Sequence, residues 1–320
     1  MKISVALCTY NGEKFIAEQL NSILNQTVSV NEIIVCDDGS TDDTVNIVNS
    51  LLSKAPVVYR IEKNEKSLGV ANNFLKALKL TTGDYVFTCD QDDVWHKDKV
   101  KTFLCEINAT KKDLYFSDGI LVDAEGVPMG NTLWEAYNIK YDNIIRAPII
   151  KTLVRQSLAT GAATVVSKNL INQINAIPAN WLHDEWFAVV AALNNSAQPI
   201  NRTTFNYRQH GKNVVGAEKK TVFQRFKVWL NNYKNLNKIR NLNYERMCDV
   251  SILAQNTEYF EIIIQAKKFW KSLLNCKNQN RIKSSVAISK LFIQGEYSRF
   301  YTGIRGFIRD LISVLFFKKD

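Results

Sequence analysis

The residues best suited to chemistry stand in one short run, Cys89-Asp90-Gln91-Asp92-Asp93. Carboxylates this close repel one another and are costly to desolvate unless a cation neutralises them. Asp90, Asp92 and Asp93 therefore point to a hard divalent metal with oxygen ligands, Mn²⁺ or Mg²⁺. Such an ion takes one or two protein carboxylates and leaves its other positions to water and phosphate oxygens, as where a metal handles a nucleotide diphosphate. Asp92 is the first metal candidate, while Asp93 can simply support the loop. A D-x-D run is also an ordinary strand-to-helix loop, so its meaning depends on its surroundings. Two more acidic pairs occur, Asp37-Asp38 before Gly39-Ser40 and Asp184-Glu185 inside Trp181-Leu182-His183-Asp184-Glu185-Trp186. Trp95, Trp181 and Trp186 stand next to these groups, where an aromatic face can stack on a ligand ring or simply pack in the core. Arg208, in Tyr207-Arg208-Gln209-His210-Gly211, can face phosphate or solvent.

These residues need elements to hold them. Residues 3–10, 32–36, 57–61 and 85–89 are short β-rich apolar runs, and segments 14–25, 43–53 and 69–80 between them carry helical periodicity. The alternation implies an open parallel sheet covered by helices on both faces, with ligands at the carboxyl ends of the strands. Thr9-Tyr10-Asn11-Gly12, Asp37 to Ser40 and Asp90 to Asp93 each follow a strand, so three strand ends converge on one edge. Ser40, Thr41 and Asp42 also suit the N-cap of the next helix. From residue 113 the pattern is mixed: strand-like 114–122, a turn at Gly126-Val127-Pro128, strand-like 153–166, a helix over 184–194 and strand-like 203–209. Beyond Gly216, helices rich in Lys, Arg and aromatics are expected over Phe223 to Trp229, Phe260 to Leu274 and Phe307 to Phe317. The expected division is 1–215, in halves over 1–112 and 113–215, followed by a basic helical region over 216–320.

Composition bounds the reading. With 320 residues, 46% hydrophobic and 22% charged, the chain can bury a sizeable core. No apolar stretch approaches the roughly 20 residues that span a bilayer, and Met1 leads straight into a strand, so the protein is expected in the cytoplasm. Six scattered cysteines without a C-x-x-C pair read as reduced core residues. Residues 1–130 carry 13 basic against 19 acidic side chains, and residues 131–320 carry 28 against 12. The basic half can meet anionic headgroups or diphosphate-bearing substrates. Near its end, Phe307, Ile308, Leu311, Ile312, Leu315 and Phe316 form an apolar stripe beside Arg305, Arg309, Lys318 and Lys319. That stripe suits the inner face of the cytoplasmic membrane, a packed helix or a homodimer contact. No recognised nucleic-acid module accompanies the charge, so no nucleic-acid partner is expected. Neither G-x-x-x-x-G-K-[ST] nor a G-x-G-x-x-G after the first strand is present, which removes the P-loop and dinucleotide readings.

Val5-Ala6-Leu7-Cys8-Thr9-Tyr10-Asn11-Gly12, Ile34-Val35-Cys36-Asp37-Asp38-Gly39-Ser40-Thr41-Asp42, Gly69-Val70-Ala71-Asn72-Asn73 and Asp90-Gln91-Asp92-Asp93-Val94-Trp95 occur in this order. Together they resemble the signature blocks of family 2 glycosyltransferases of the GT-A fold over roughly the first 210 residues. The later H-D-E-W and Y-R-Q-H-G blocks resemble bacterial rhamnosyltransferase-like enzymes of surface-polysaccharide assembly. The resemblance implies a mixed α/β sheet flanked by helices, with a nucleotide-binding half over 1–112, an acceptor-binding half over 113–215 and a helical C-terminal extension. It implies an inverting transfer from a nucleoside-diphosphate sugar, dTDP-rhamnose or a UDP-sugar, to a glycan or lipid-linked acceptor.

The resemblance also implies roles by position. Thr9 and Tyr10 would line the nucleotide pocket with Glu13 supporting its wall, and Asp38, with Asp37 nearby, would accept a hydrogen bond from a pyrimidine. Gly69 and Asn73 would hold base and ribose. Asn72 stands where the family commonly has arginine, which takes away a phosphate contact. Asp90 and Gln91 would meet the donor, Asp90 sharing the metal with Asp92 and with His210. Asp184 would be the catalytic base, with Glu185 as its substitute on the acceptor side, where Trp95, Trp181 and Trp186 would stack on the acceptor sugar or simply pack in the core; capping of the following helix is the plain alternative for Asp184. Rival readings are a sugar-1-phosphate nucleotidyltransferase, which would want a glycine-rich basic loop after the first strand, and a non-catalytic nucleotide-binding protein, which would have lost its carboxylates.

Overall fold

A computed structural model describes residues 1–210 and 235–317. They form two compact units, 1–146 with 158–210, and 147–157 with 235–317. The expected boundary at 215/216, the expected helix over Phe223 to Trp229, and Gly211, Gly216, Lys318 and Lys319 lie outside the described residues.

The first unit is built on a sheet that opens with four parallel strands in the order β3-β2-β1-β4. These are β1 (Ile3–Thr9), β2 (Glu32–Asp37), β3 (Val58–Lys63) and β4 (Tyr85–Cys89), joined through α1 (Ile16–Leu24), α2 (Thr44–Leu52) and α3 (Val70–Leu80). The pleat sends Ile3, Val5, Leu7, Ile33, Val35 and Phe87 to one core, shared with α1, α2 and α4 (Lys99–Thr110). The alternate side chains turn to the other face, where α3 packs on β1 and β2.

Beyond β4 come β5 (Val94–Trp95), α4, β6 (Leu114–Val122), β7 (Pro128–Thr132), the short helices α5 (Leu133–Ala136) and α6 (Tyr141–Ile145), and α7 (Ile150–Leu153), which belongs to the second unit. Then follow β8 (Thr164–Ser167), α8 (Lys168–Gln173), α9 (His183–Leu193) and β9 (Ala197–Arg208). The sheet continues β4-β8-β6-β9-β5, with β8 antiparallel to both of its neighbours and β9 parallel to β6. The sheet is thus mixed, where strand and helix alternation alone implies a parallel one.

The strand expected over 153–166 is corrected. After α7 the chain is irregular to Thr160, makes one 3₁₀ turn at Gly161–Ala163, and becomes β8 only from Thr164. A short buried apolar run has the same composition whether it is extended or coiled, so periodicity does not separate the two.

The second unit is helical, with α10 (Leu236–Leu253), α11 (Phe260–Asn275), α12 (Arg281–Ile293), α13 (Glu296–Phe300) and α14 (Ile304–Ile312). Ile263, Ala266, Phe269, Trp270 and Leu273 form the buried stripe of α11. Phe269 meets Tyr297 and Phe300 at ring distances of 5.3 and 5.9 Å. Buried Asp310 pairs with Arg240 at 3.1 Å and accepts the Tyr297 hydroxyl at 2.9 Å. Phe292 stacks on Phe307 at 4.1 Å while Arg281 reaches the Leu315 carbonyl at 3.4 Å, so α12 and α14 run antiparallel, side by side. No described helix is long and apolar enough to cross a membrane.

Candidate active site

The parallel register brings Thr9 opposite Asp37 and Leu7 opposite Cys89, so the loops after β1, β2 and β4 leave one edge together. Asp37 is fully buried and ties two of them. Its carboxylate accepts the Thr9 hydroxyl at 2.9 Å, the Ser40 hydroxyl, and the amides of Ser40 and Gly39 at 2.8 and 3.2 Å. Ser40 is therefore spent on Asp37 and on the Asn11 amide at 2.8 Å, while Asp42, which accepts the Thr44 amide at 3.1 Å, serves the start of α2. Glu13 and α2 lock reciprocally: the Glu13 amide donates to Asp42 at 3.1 Å and the Asp43 amide donates to the Glu13 carboxylate at 3.0 Å.

Asp38 holds the loop before α3. One oxygen accepts Asn64 Nδ2 and the Leu68 amide at 2.8 and 2.7 Å; the other accepts Ser67 Oγ and the Gly69 amide at 2.6 and 3.0 Å. Burial raises its pKa, but these four bonds outweigh that and hold the carboxyl below its usual range. Each oxygen already takes two donors, its ordinary complement, so the pyrimidine bond expected of Asp38 competes with the loop itself. Asn73 bridges the same loop to the sheet, accepting Asn64 Nδ2 at 2.8 Å and donating to the Cys36 carbonyl at 2.9 Å. Gly69 has φ +75°, and no atom lies within 4 Å of where a Cβ would stand. Asn72 is exposed and donates to the Leu68 carbonyl at 3.2 Å.

Gln91 clamps the loop after β1. Its amide accepts the Tyr10 N–H at 2.8 Å and donates to the Tyr10 carbonyl at 3.0 Å, leaving the Tyr10 side chain 57% exposed. A Cβ on Gly12 would stand 2.2 Å from the Gln91 side-chain oxygen, so a side chain there would push the Gln91 amide out of its clamp on Tyr10.

Asp92 Oδ2 lies 2.7 Å from His210 Nε2, and the His210 ring stacks on Phe15 at 5.0 Å. One carboxylate oxygen and one imidazole nitrogen, each partly exposed, suit Mn²⁺ or Mg²⁺, which keep several ligand places for water and phosphate. Among the described residues no group of three side-chain ligands is assembled, so Asp90 does not join Asp92 and His210 in a closed cage. Asp90 is turned instead toward Gly161, whose Cβ would meet Asp90 Oδ2 at 3.4 Å and His183 Nε2 at 2.9 Å. Burial, then the charges of Asp92 and Asp184, push the Asp90 carboxyl up to about 8, with Lys99 pulling the other way. Burial likewise drives Asp93 well above the carboxylate range; one of its oxygens accepts the Arg208 amide at 3.1 Å.

Asp184 is the second residue of α9, not its cap, because the capping contact is made by Glu185, which accepts the Leu182 amide at 3.3 Å. Asp184 is buried and accepts the Glu185 amide at 2.8 Å and the Gly161 amide. Burial and then the Glu185 charge push its carboxyl up to about 7 against those two amides. The Gly161–Ala163 turn is the shared plate beneath these groups: Thr88 Oγ1 donates to the Gly161 carbonyl and Lys99 Nζ to that of Ala162, the latter at 2.5 Å. The family model Glycosyl transferase family 2 matches residues 4–166, which contain all of this except Leu182, α9, Arg208 and His210.

The chain belongs to glycosyl transferase family 2. It is a glycosyltransferase, which sets aside the nucleotidyltransferase and the non-catalytic binding protein. It is 31% identical over 290 residues to the dTDP-rhamnosyl transferase RfbG of Shigella flexneri, covering 83% of this chain and 93% of that one. The poly(ribitol-phosphate) beta-N-acetylglucosaminyltransferase TarS of Staphylococcus aureus is 37% identical over 130 residues, 40% of this chain and 22% of TarS. The crystal structure of TarS 1–349 in complex with UDP-GlcNAc superposes with a TM-score of 0.58 at 21% identity, over 86% of this chain and 70% of that one. The mannosyltransferase PcManGT of Pyrobaculum calidifontis, in complex with GDP-Man and Mn²⁺, superposes with a TM-score of 0.57 at 15% identity, over 99% and 88%. These likenesses give the family 2 chain its GT-A fold.

Four expectations are corrected in this family 2 chain. Trp95, Trp181 and Trp186 are only 3, 7 and 7% exposed, so packing occupies the faces that an acceptor sugar would need. Trp95 lies against Phe87 and beneath Lys99, and Trp181 meets Trp186 at 5.3 Å. Arg208 does not face a phosphate: it is buried, donating to the Asp92 and Ala124 carbonyls at 3.0 and 2.9 Å and pairing with Glu18 at 2.5 Å. Sequence reasoning missed Lys99, buried between the Trp95 and Phe205 rings at 4.4 and 4.7 Å, because a lysine at a helix start normally reads as solvated. Burial pulls its ammonium down to about 8 against the carboxylates of Asp93 and Asp90. His183 was missed as well; it stacks on Phe74 at 3.7 Å, and burial lowers its imidazole to about 3, so it is neutral.

Proposed function

We propose that the protein is an inverting hexosyltransferase that takes its sugar from a nucleoside diphosphate, with dTDP-rhamnose the first candidate and a UDP-sugar the second. The acceptor is a saccharide or lipid-linked saccharide, met at the inner face of the cytoplasmic membrane during surface-polysaccharide assembly. The likeness to the dTDP-rhamnosyl transferase along most of both chains supports the donor class.

The observation that carries the chemistry is Asp184, a buried carboxyl steadied by the Gly161 amide, beside the acidic run, with its acidity brought to about 7. A carboxyl of that strength is a matched general base near neutral pH. It takes the proton of an acceptor hydroxyl as that oxygen bonds to the anomeric carbon, while the bond from that carbon to the diphosphate breaks on the opposite face. Asp92 and His210 would hold Mn²⁺ or Mg²⁺, which when bound stabilises charge on the departing diphosphate. Asp90 meets the donor sugar or ribose, and the Asp38, Asn64 and Asn73 network keeps the base-binding loop in place.

The test is a thermal-shift and product-release screen of dTDP-, UDP- and GDP-sugars with Mn²⁺, followed by assignment of the product's anomeric configuration. One donor should stabilise the protein and yield its nucleoside diphosphate with inversion. Retention of configuration, or silence from every donor, would refute the reading.

A further inference from the structure

The antiparallel pair α12 and α14 leaves one face of each helix without a partner among the described residues. On α12, Ile282, Val286 and Ile293 are 76, 63 and 83% exposed, and on α14 Ile304 and Ile308 are 60 and 47% exposed. Spacings of three to four residues and their multiples put each set on one side of its helix. The buried sides point the other way, through Ser284, Ile288 and Leu291 on α12 and Gly306 and Asp310 on α14. Because Phe292 meets Phe307 and Arg281 reaches Leu315, the ends correspond: Ile293 lies toward Ile304, and Ile282 toward Leu315 and Phe316. Phe316 is 72% exposed and continues the strip.

The charge along this strip has one sign. Lys277, Lys283, Lys290, Arg299 and Arg305 are exposed, while the two acidic residues between 277 and 316 are withdrawn, Glu296 partly and Asp310 completely. A bare apolar strip could receive a second copy of the chain, but two such faces would bring like charges together. An anionic bilayer surface offers the complement: apolar side chains settle at the boundary between headgroups and acyl chains, and the flanking lysines and arginines meet phosphate.

We propose that the α12 and α14 face is a shallow docking surface for a bilayer carrying anionic phospholipid. The proposal rests on the reading above only in the choice of membrane; the surface itself is independent of the catalytic chemistry.

The full chain is tested by co-sedimentation with vesicles of phosphatidylcholine alone and of phosphatidylcholine with phosphatidylglycerol, at low and high salt. Binding should require phosphatidylglycerol and weaken with salt. The exposed double substitution Lys283→Glu with Lys290→Glu should weaken it on the order of tenfold or more. Ile282→Ser with Ile293→Ser should weaken binding at both salt levels while preserving the melting transition. Equal binding to both vesicle types, or binding unchanged by both variants, would overturn the proposal. So would a dimer that the isoleucine variant dissolves in a protein that ignores vesicles. Release of nucleoside diphosphate in vesicle-free solution, expected to be equal in all variants, separates the two readings. Vesicle binding without donor turnover would sink the glycosyltransfer and leave the docking surface, and turnover without binding would do the reverse.

Discussion

Asp92 and His210 stand 118 residues apart in the chain, and their side chains meet at 2.7 Å at the mouth of the acidic run. In the proposed function these two side chains hold the ion, and each can be removed separately by substitution. His210→Ala should raise the Mn²⁺ concentration needed for half-maximal donor turnover by at least about tenfold, and Asp92→Asn by more. Chelation should abolish turnover in the unaltered protein, and turnover in a metal-free preparation would remove the pair from the mechanism.

As the proposed base, Asp184 should set the acid limb of the rate profile. A base that must be ionised, with its carboxyl near 7, gives transfer that rises with pH through that region and then levels off. Asp184→Asn should lower kcat by about 10²- to 10⁴-fold with donor affinity nearly intact, and the residual rate should lose that limb. A variant that keeps both rate and limb would shift the base to Glu185.

The same carboxyls control stability in the absence of metal. Asp90 and Asp184 titrate near 8 and 7 in the folded chain against an ordinary value of 3.8, so between these values the native state holds more protons than the unfolded one. Stability therefore falls as pH rises from about 4 to 8. Thermal unfolding of chelated protein should show that decline, and Asp90→Asn should flatten it. A metal-free melting point that climbs across this interval would contradict the assignment.

Lys99 should prove indispensable in proportion to its burial. Lys99→Met removes a cation that faces Asp93 and Asp90 and the donor to the Ala162 carbonyl, at a cost of about 2 kcal/mol in urea unfolding. Because the Gly161–Ala163 turn also supplies an amide to Asp184, kcat should fall along with stability, whereas Lys66→Met, at an exposed position, should change neither.

The first half of the fold was legible because each parallel strand is a short β-rich run bounded by polar loops, and β1, β2 and β4 begin and end within about one residue of expectation. The placement of the acidic run after β4 and of Asp184 at the start of α9 was legible because polar residues end the apolar runs there. Orientation was not. Residue type does not say whether Trp95 faces a sugar or Phe87, or whether Arg208 reaches outward or back to Glu18. Asp37 and Asp38 look alike in sequence, yet one ties strands and the other ties the 64–69 loop, a difference made by partners distant in the chain. The 153–166 segment misled because its buried apolar residues from Val154 to Ala163 lie in irregular chain and a 3₁₀ turn, with strand only from Thr164.

The fit of Gln91 over Gly12 carries a genealogical consequence. A methyl group at position 12 would displace the Gln91 amide and open its clamp on Tyr10, so a change at 12 depends on what stands at 91, whereas a shorter residue at 91 leaves glycine at 12 unobstructed. In descendants of this gene a small side chain at 91 should appear wherever glycine at 12 is lost. In the laboratory, Gln91→Ser should act as a suppressor of Gly12→Ala.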